Sequence, residues 1–200
     1  MISRPLFTAI AGLVLASASA VAFAAPVTYK IDPTHTDVIV SWSHFGFSNP
    51  IAHFGDVDGS ITYDADNVGQ SSVSVTIPLS GMESHVAKFN EHLRSEDFFD
   101  AEKYPVITFA STGVEAAGSD RLRVSGDLTV HGVTRPVVLD VNINKIGEQP
   151  MAKRPAAGFD ATTTLKRSDF GLDKFAPSVS DEVQIRITTE ALAPKPAAAE

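Results

Sequence analysis

The stretch RLRVSGDLTVHGVTRPVVLDVNIN, residues 121–144, decides the fold class because apolar and polar side chains alternate along both of its halves. In the first half, Leu122, Val124 and Leu128 share one face of an extended chain, while charged and hydroxyl side chains occupy the other face. A period of two residues is typical of a strand with one buried and one solvated face. The turn-forming pair His131-Gly132 separates the two halves. The stretch therefore predicts an antiparallel β-hairpin.

The same alternation recurs along the chain and leaves little room for helix. It predicts further strands over residues 28–31, 37–44, 53–63, 73–79, 106–112, 161–165 and 182–190. One helix is predicted, with Ser84 as its N-cap and with Val86, Phe89, Asn90 and Leu93 on one face. About eight or nine short strands with one helix predict an all-β sandwich or closed barrel. A barrel of about eight strands is either filled by its own side chains or hollow enough for one small ligand.

The first 24 residues have the composition of a secretory signal peptide. Arg4 precedes an apolar run over residues 6–15, and the segment ends in Ala22-Phe23-Ala24, an A-x-A cleavage pattern. The alternative is a membrane anchor, but the apolar run is shorter than the ~20 residues that a spanning helix needs. We predict a signal peptide over residues 1–24, one domain over residues 25–192 and a disordered tail over residues 193–200.

Charge and cysteine content exclude several classes of function. Outside the predicted signal peptide the chain has 15 basic and 24 acidic residues, a net charge of −9. Such an acidic surface argues against binding to nucleic acid or to anionic membrane surfaces. The chain has no cysteine, which rules out thiol catalysis, CxxC redox chemistry and c-type haem attachment. An exported domain without disulfides depends on its core for stability.

The remaining chemistry-bearing residues show no catalytic or metal-binding pattern. The sequence contains neither a GxSxG nucleophile motif nor a glycine-rich phosphate loop. His85 and His92 are seven residues apart on the predicted helix, whereas zinc ligands on one helix are usually four apart. We therefore predict no catalytic residue, no metal site and no required cofactor.

Two segments, HLRSEDFFDAEKYPVITFAST (residues 92–112) and LTVHGVTRPV (residues 128–137), resemble hallmark sequences of the YceI-like family of periplasmic polyisoprenoid-binding proteins. The resemblance extends over nearly all of residues 29–192. It implies a lipocalin-like, closed antiparallel β-barrel of about eight strands, with one short helix in a long connector. It also implies that a long isoprenoid quinone or polyprenol lies in the interior, and that the protein is a lipid carrier in the periplasm.

Strand parity and the resemblance together nominate the residues that line the barrel. The candidate ligand-binding residues are Val38, Val40, Trp42, His44, Phe54, Phe89, Leu93, Phe98, Phe99, Phe109 and Phe170. One of Phe98 and Phe99 is expected to pack beneath the helix and the other to reach the ligand. His44 is expected near the rim, where it could hydrogen-bond a ligand head group. For each apolar candidate the alternative role is ordinary core packing.

The sequence leaves three functions open. The first is a carrier of isoprenoid lipid, the second an enzyme or redox partner that acts on a bound quinone, and the third a solidly packed barrel that serves as an interaction module. A carrier implies transient contact with a membrane or a membrane protein. We favour a neutral head group such as a quinone, because the basic residues are scattered among acids. The oligomeric state stays open, a homodimer included.

Overall fold

The structure is a computed structural model that describes residues 25–195. In this range the chain forms eleven β-strands and one α-helix. The elements are β1 (Val27–Ile31), β2 (Asp37–His44), β3 (Ile51–Phe54), β4 (Asp58–Tyr63), β5 (Ser72–Pro78), β6 (Met82–Glu83), α1 (Ala87–Arg94), β7 (Val106–Ala116), β8 (Arg121–Val130), β9 (Val133–Gln149), β10 (Arg154–Lys166) and β11 (Val179–Leu192).

Eight of these strands form a closed ring. Their order is β1-β4-β5-β7-β8-β9-β10-β11, every neighbouring pair is antiparallel, and β11 pairs back onto β1 through Lys30↔Leu192 and Ile31↔Ala191. Closure leaves this ring without exposed strand edges. The structure therefore confirms the prediction of an all-β, closed antiparallel barrel of about eight strands with one short helix.

The three additional strands arise because long strands are interrupted. β1 and β2 both pair with β11, and a short 3₁₀ turn (Pro33–His35) separates them. The Asp32 carboxylate accepts hydrogen bonds from the backbone N–H and the hydroxyl of Thr34, at 2.9 and 2.7 Å, and so stabilises this turn. The hydrogen bond with His35, followed by those from Thr34, lowers the pKa of Asp32 to about 2. The interruption bends the strand without opening the ring.

The prediction of one continuous strand over residues 53–63 is wrong, because the structure has two strands there. The first, β3, ends at Phe54 and the second, β4, begins at Asp58, and Asp56 between them has a φ of 54°, which extended strands do not adopt. β3 pairs with β2 and β4 pairs with β1, so the two halves follow the same bend as β1 and β2. The inward apolar positions change parity across the break, from Ala52 and Phe54 to Val57, Ile61 and Tyr63, which one uninterrupted strand could not place on a single face.

Strands β9 to β11 are longer than predicted. The second strand of the hairpin predicted within residues 121–144 becomes Val133–Gln149, and the strand predicted over residues 161–165 becomes Arg154–Lys166. A hairpin that starts at Gln149↔Arg154 joins the two. The added residues include Gly147 and Gly158, with a register shift at Gly158. Glycine has little intrinsic preference for strands, and here the ladders to neighbouring strands override that preference.

Beyond the closed ring, β2, β3 and β6 continue the sheet from β11, and no backbone ladder joins β6 to β7 within residues 25–195. We call this unpaired line the seam. Helix α1 and the connector around it, residues 84–105, cover the seam. Arg94 of α1 donates to the backbone carbonyls of Leu79 at 3.1 Å, Ser80 at 3.3 Å and Met82, so its guanidinium satisfies acceptors that a strand would otherwise pair.

The start of α1 differs from the prediction. The helix begins at Ala87 with Val86 in the N-cap position, and Val86 makes no side-chain capping bond. Ser84 instead donates its backbone N–H and its hydroxyl to Oδ1 of Asn90, at 2.8 and 2.6 Å. Buried Asn90 also donates Nδ2–H to Glu83 at 2.7 Å, which satisfies the polar group that the helix brings inside.

The structure describes the predicted domain boundary near the C-terminus but not the one near the N-terminus. The predicted signal peptide, residues 1–24, and residues 196–200 of the predicted tail lie outside the described residues. The sequence predicts Ala193 in the disordered tail, but Ala193 is buried, donates its N–H to the carbonyl of Pro155 at 2.8 Å and accepts a hydrogen bond from Arg154 at 3.0 Å. The ordered chain therefore extends past the predicted boundary. Between residues 25 and 195 no helix is long and apolar enough to cross a membrane.

A candidate lipid-binding cavity

The barrel encloses an unfilled cavity of about 550 Å³. This volume falls within the ~300–1,000 Å³ that is typical of small-molecule sites. The cavity extends from His44 and Phe175 at the α1 end to Thr62 and Tyr63 at the opposite end. The cavity excludes the third alternative left open by the sequence, a barrel packed solid by its own side chains.

The cavity exists because small and medium side chains line the ring at mid-height. Consecutive wall positions there are Val38, Ile187, Ala161 and Val141, which are aligned by the ladders of β2, β11, β10 and β9. The alternation of each strand turns these residues inward and its polar residues to solvent. Since none of the four is large, the axis stays empty, in contrast to eight-stranded barrels whose side chains meet at the centre.

The structure brings all eleven predicted residues to the cavity wall. They come from β2 (Val38, Val40, Trp42, His44), β3 (Phe54), α1 (Phe89, Leu93), the connector (Phe98, Phe99), β7 (Phe109) and the turn after β10 (Phe170). That they contact a ligand stays a prediction. Phe98 and Phe99 do not divide into one core and one cavity residue, since both are half-buried and both line the cavity.

Aromatic rings concentrate at the α1 end of the cavity. The rings of Trp42 and Phe89 are 5.8 Å apart, and Phe98 lies 4.9 Å from His92 in an edge-to-face arrangement. Phe175 lines the cavity and is 52% exposed, so the cavity reaches the surface there. We call this opening the mouth. It is bounded by the β2–β3 turn (residues 45–50), the connector (residues 84–105) and the β10–β11 loop (residues 167–178).

One ion pair joins two of the segments that bound the mouth. The Asp97 carboxylate of the connector bonds Lys174 of the β10–β11 loop, and Nε2 of His92 lies 3.5 Å from Oδ2 of Asp97. The hydrogen bond from Lys174 is the main cause that lowers the pKa of Asp97. The pair therefore holds the connector against the loop beside Phe175 at neutral pH.

Arg167 is a wall residue that the sequence reasoning missed. Its guanidinium donates to the backbone carbonyls of Ser180 and Val179, each at 2.9 Å, and to that of Leu172. Burial is the main cause that lowers the pKa of Arg167, and the nearby Asp181 acts in the opposite direction. The side chain thus serves chiefly to hold the β10–β11 loop in place.

Other missed wall residues could have been found by extending strand parity to every strand. The main examples are Ile61, Val75, Val124, Leu139, Ala161 and Ile185. Phe175 and Arg167 carried no such signal, because they lie in a loop. Within the wall, the hydroxyls of Thr36 and Thr189 are 2.9 Å apart and bond each other, which leaves the surface around them apolar.

Histidines and carboxylates form pairs, without a larger cluster in the described range. His53 Nδ1 lies 2.6 Å from Asp37, and its ring is 5.6 Å from that of His85. Residues 25–195 contain no group of three or more metal-ligating side chains.

Comparison with known proteins gives the cavity a family. The model of the YceI-like domain matches residues 29–191. The chain belongs to the YceI-like family. It is 38% identical to the UPF0312 protein of Pseudomonas putida strain GB-1, over 84% of this chain and 87% of that protein. The UPF0312 protein of Photorhabdus laumondii is 34% identical, and the alignment covers 98% of this chain and 100% of that protein. The resemblance inferred from residues 92–112 and 128–137 is therefore confirmed.

Solved structures extend the comparison for this YceI-like chain. BcnA of Burkholderia cenocepacia matches with a TM-score of 0.73 at 25% identity, over 80% of this chain and 99% of BcnA. The Campylobacter jejuni YCEI protein matches with a TM-score of 0.70 at 28% identity, over 76% and 90%. A polyisoprenoid binding domain from Saccharophagus degradans matches with a TM-score of 0.64 at 19% identity, over 84% and 99%, which shows the same fold.

Proposed function

We propose that this YceI-like protein binds a long isoprenoid lipid in its barrel and carries it without chemical turnover. The observation that supports this most strongly is the cavity of about 550 Å³, whose wall is formed almost entirely by aliphatic and aromatic side chains and reaches the surface at the mouth. The Saccharophagus degradans domain of the same fold is described as polyisoprenoid binding. The proposal extends that ligand class to this chain.

The energetics of exchange fit a carrier. Removing one five-carbon unit from water is worth roughly 4 kcal/mol, at ~0.8 kcal/mol per methylene. The free ligand, however, resides in a membrane, and transfer from lipid to an apolar cavity nearly cancels this gain. Loading and release then depend on head-group contacts, on cavity fit and on the entropy of ordering the chain. A near balance of this kind permits both steps.

A neutral head group, such as that of a quinone or a polyprenol, suits the polar residues at the mouth. A polyprenyl phosphate requires a cluster of cations with free donors. Here Arg167 donates to three backbone carbonyls and Lys174 is engaged by Asp97. His92 contacts Asp97, and His44 lies on the wall where it can donate to a single carbonyl or hydroxyl. We therefore propose a neutral head group at this end.

We also propose that the protein acts in the periplasm, because a carrier of this kind needs an aqueous space beside a membrane. The A-x-A pattern that ends at Ala24 supports export. Fractionation of the source cells followed by N-terminal sequencing tests this point. A periplasmic protein that begins near Ala25 is expected, and an uncleaved protein that starts at Met1 would contradict it.

Native mass spectrometry of the protein purified from its own cells tests ligand binding. We expect a retained apolar mass in the wild type and none in A161F, whose added ring would occupy the cavity at mid-height. The matched control is A110F, because Ala110 is exposed on the outer face of β7. Equal retention by A161F and the wild type would refute the proposal. Conversion of a bound quinone to product would instead favour the enzyme or redox partner.

A further inference from the structure

Three phenylalanines at the mouth are exposed to solvent. Phe47 is 93% exposed, Phe45 53% and Phe175 52%, whereas the other seven phenylalanines in residues 25–195 are buried or half-buried. We call these three residues the phenylalanine rim. Single exposed apolar residues are common on soluble proteins, but a group of them next to an apolar cavity marks an interaction site.

Contacts on the structure show that the phenylalanine rim is continuous with the cavity. The N–H of Phe45 donates to the carbonyl of Ser178 at 2.9 Å, which holds the β2–β3 turn beside the β10–β11 loop. The ring of Phe175 lies 6.3 Å from Phe98 and 6.5 Å from His92, both of which line the cavity. A surface that covers the rim would therefore also cover the mouth.

The charge pattern restricts what that surface can be. The segment FGFSNPIA, residues 45–52, contains no charged residue, although 20% of the whole chain is charged. Both bases named at the mouth are engaged, Lys174 by Asp97 and Arg167 by backbone carbonyls. An uncharged aromatic tip on an acidic protein suits a neutral apolar surface and does not suit an anionic one.

We propose that the phenylalanine rim docks the mouth onto a bilayer with zwitterionic head groups, so that the lipid passes between bilayer and cavity without crossing water. This inference rests on the proposed function. Phenylalanine is among the apolar side chains with which interfacial segments insert at the boundary between head groups and acyl chains. Three such side chains, without a basic patch or a lipid anchor, give weak and reversible attachment, which a carrier needs in order to leave again.

Sedimentation with phosphatidylcholine vesicles tests the docking site. The variant F47A should lower the vesicle partition coefficient about tenfold, which corresponds to about 1.4 kcal/mol. F47W should retain binding, because it keeps an interfacial ring. The matched control is M151A, since Met151 is 89% exposed in the β9–β10 turn at the opposite end of the barrel. Wild type and variants have the same N-terminal segment, so any contribution of that segment to vesicle binding is equal in all samples.

Several results would overturn the inference. They are failure of the wild type to bind phosphatidylcholine vesicles, equal binding by F47A and the wild type, an equal loss in M151A, or binding that requires added phosphatidylglycerol. Native mass spectrometry of F47A separates this inference from the proposed function. If F47A retains lipid and also binds vesicles as the wild type does, only the docking inference is refuted. If the wild-type barrel contains no lipid, the proposed carrier function is refuted.

Discussion

The ring of Phe109 on β7 lies directly over Gly126 on β8. A Cβ atom built on Gly126 would be 2.4 Å from Cζ of Phe109 and 2.6 Å from the backbone oxygen of Ala110. Real side chains do not approach so closely, so the absence of a side chain at Gly126 leaves the space that the Phe109 ring occupies on the cavity wall. A glycine that faces an aromatic residue across two strands thus fixes part of the cavity's shape.

The variant G126A should destabilise the barrel by about 1–3 kcal/mol, because the new methyl group must displace both the Phe109 ring and the neighbouring backbone. Chemical denaturation monitored by circular dichroism would measure the loss. G113A is the control, since a Cβ on Gly113 of β7 meets no atom within 4 Å. Equal denaturation midpoints for G126A and G113A would contradict the steric role of Gly126.

Trp42 should report the position of the ligand head group. It is the one tryptophan of the chain, lies on the cavity wall and is close to the mouth. Because a quinone ring quenches tryptophan emission on contact, titration with an isoprenoid quinone should quench Trp42 saturably. A polyprenol of equal length should displace the bound quinone and should itself leave the emission of Trp42 unquenched. Quinone binding without quenching would place the head group at the Tyr63 end instead.

Breaking the ion pair at the mouth should accelerate ligand release. The variant D97N removes the charge that engages Lys174, and we expect release of bound quinone to become several-fold faster, measured by transfer to acceptor vesicles. Stability should hardly change, because exposed ion pairs contribute little. E148Q is the control, since Glu148 pairs with Lys153 at the opposite end, at 3.9 Å. Unchanged release by D97N would contradict a gating role for the pair.

Asp32 should make stability depend on pH at the interruption between β1 and β2. Folding lowers the pKa of Asp32 to about 2, so its contribution is present above the unfolded value near 4 and is lost as the pH falls towards 2. D32A should cost about 1 kcal/mol at pH 6, as loss of a capping acceptor does. The difference from the wild type should shrink below pH 4.

His35 also stabilises this turn, but its contribution to stability depends on pH in the opposite direction to that of Asp32. The bond to Asp32 raises the pKa of His35, so its contribution is present below the ordinary value of about 6.5 and is lost as the pH rises through the raised value. Urea denaturation of wild type and D32A between pH 2.5 and 8 measures both effects. A constant difference across this range would contradict the titration of the pair.

Strand parity predicted much of the wall because inward residues recur every second position. Val38, Val40, Trp42 and His44 fall on the wall as their spacing requires, since β2 is extended throughout. The prediction of one strand over residues 53–63 failed because the apolar positions change parity between Phe54 and Val57, where the backbone turns at Asp56. A local pattern reports which face a residue takes only where the chain stays extended.

Loop residues of the site carried no periodic signal. Phe175 reaches the mouth with a φ of 65°, a conformation that its own sequence does not favour and that the surrounding loop imposes. Arg167 lines the cavity because three carbonyls of the β10–β11 loop and β11 converge on its guanidinium. Such positions depend on tertiary contacts, so the sequence could supply the barrel and most of its wall but not the construction of the mouth.

The seam gives the molecule an unequal distribution of local stability. Ladders of strands β7 to β11 have many paired amides, whereas beside β6 the side chain of Arg94 takes the place of a neighbouring strand. In hydrogen exchange, the amides of the ladders should exchange only through global unfolding, while those of α1 should exchange through smaller, more frequent openings. Under the proposed function, openings of this kind would let a lipid enter along the α1 side while the ladders of β7 to β11 stay intact.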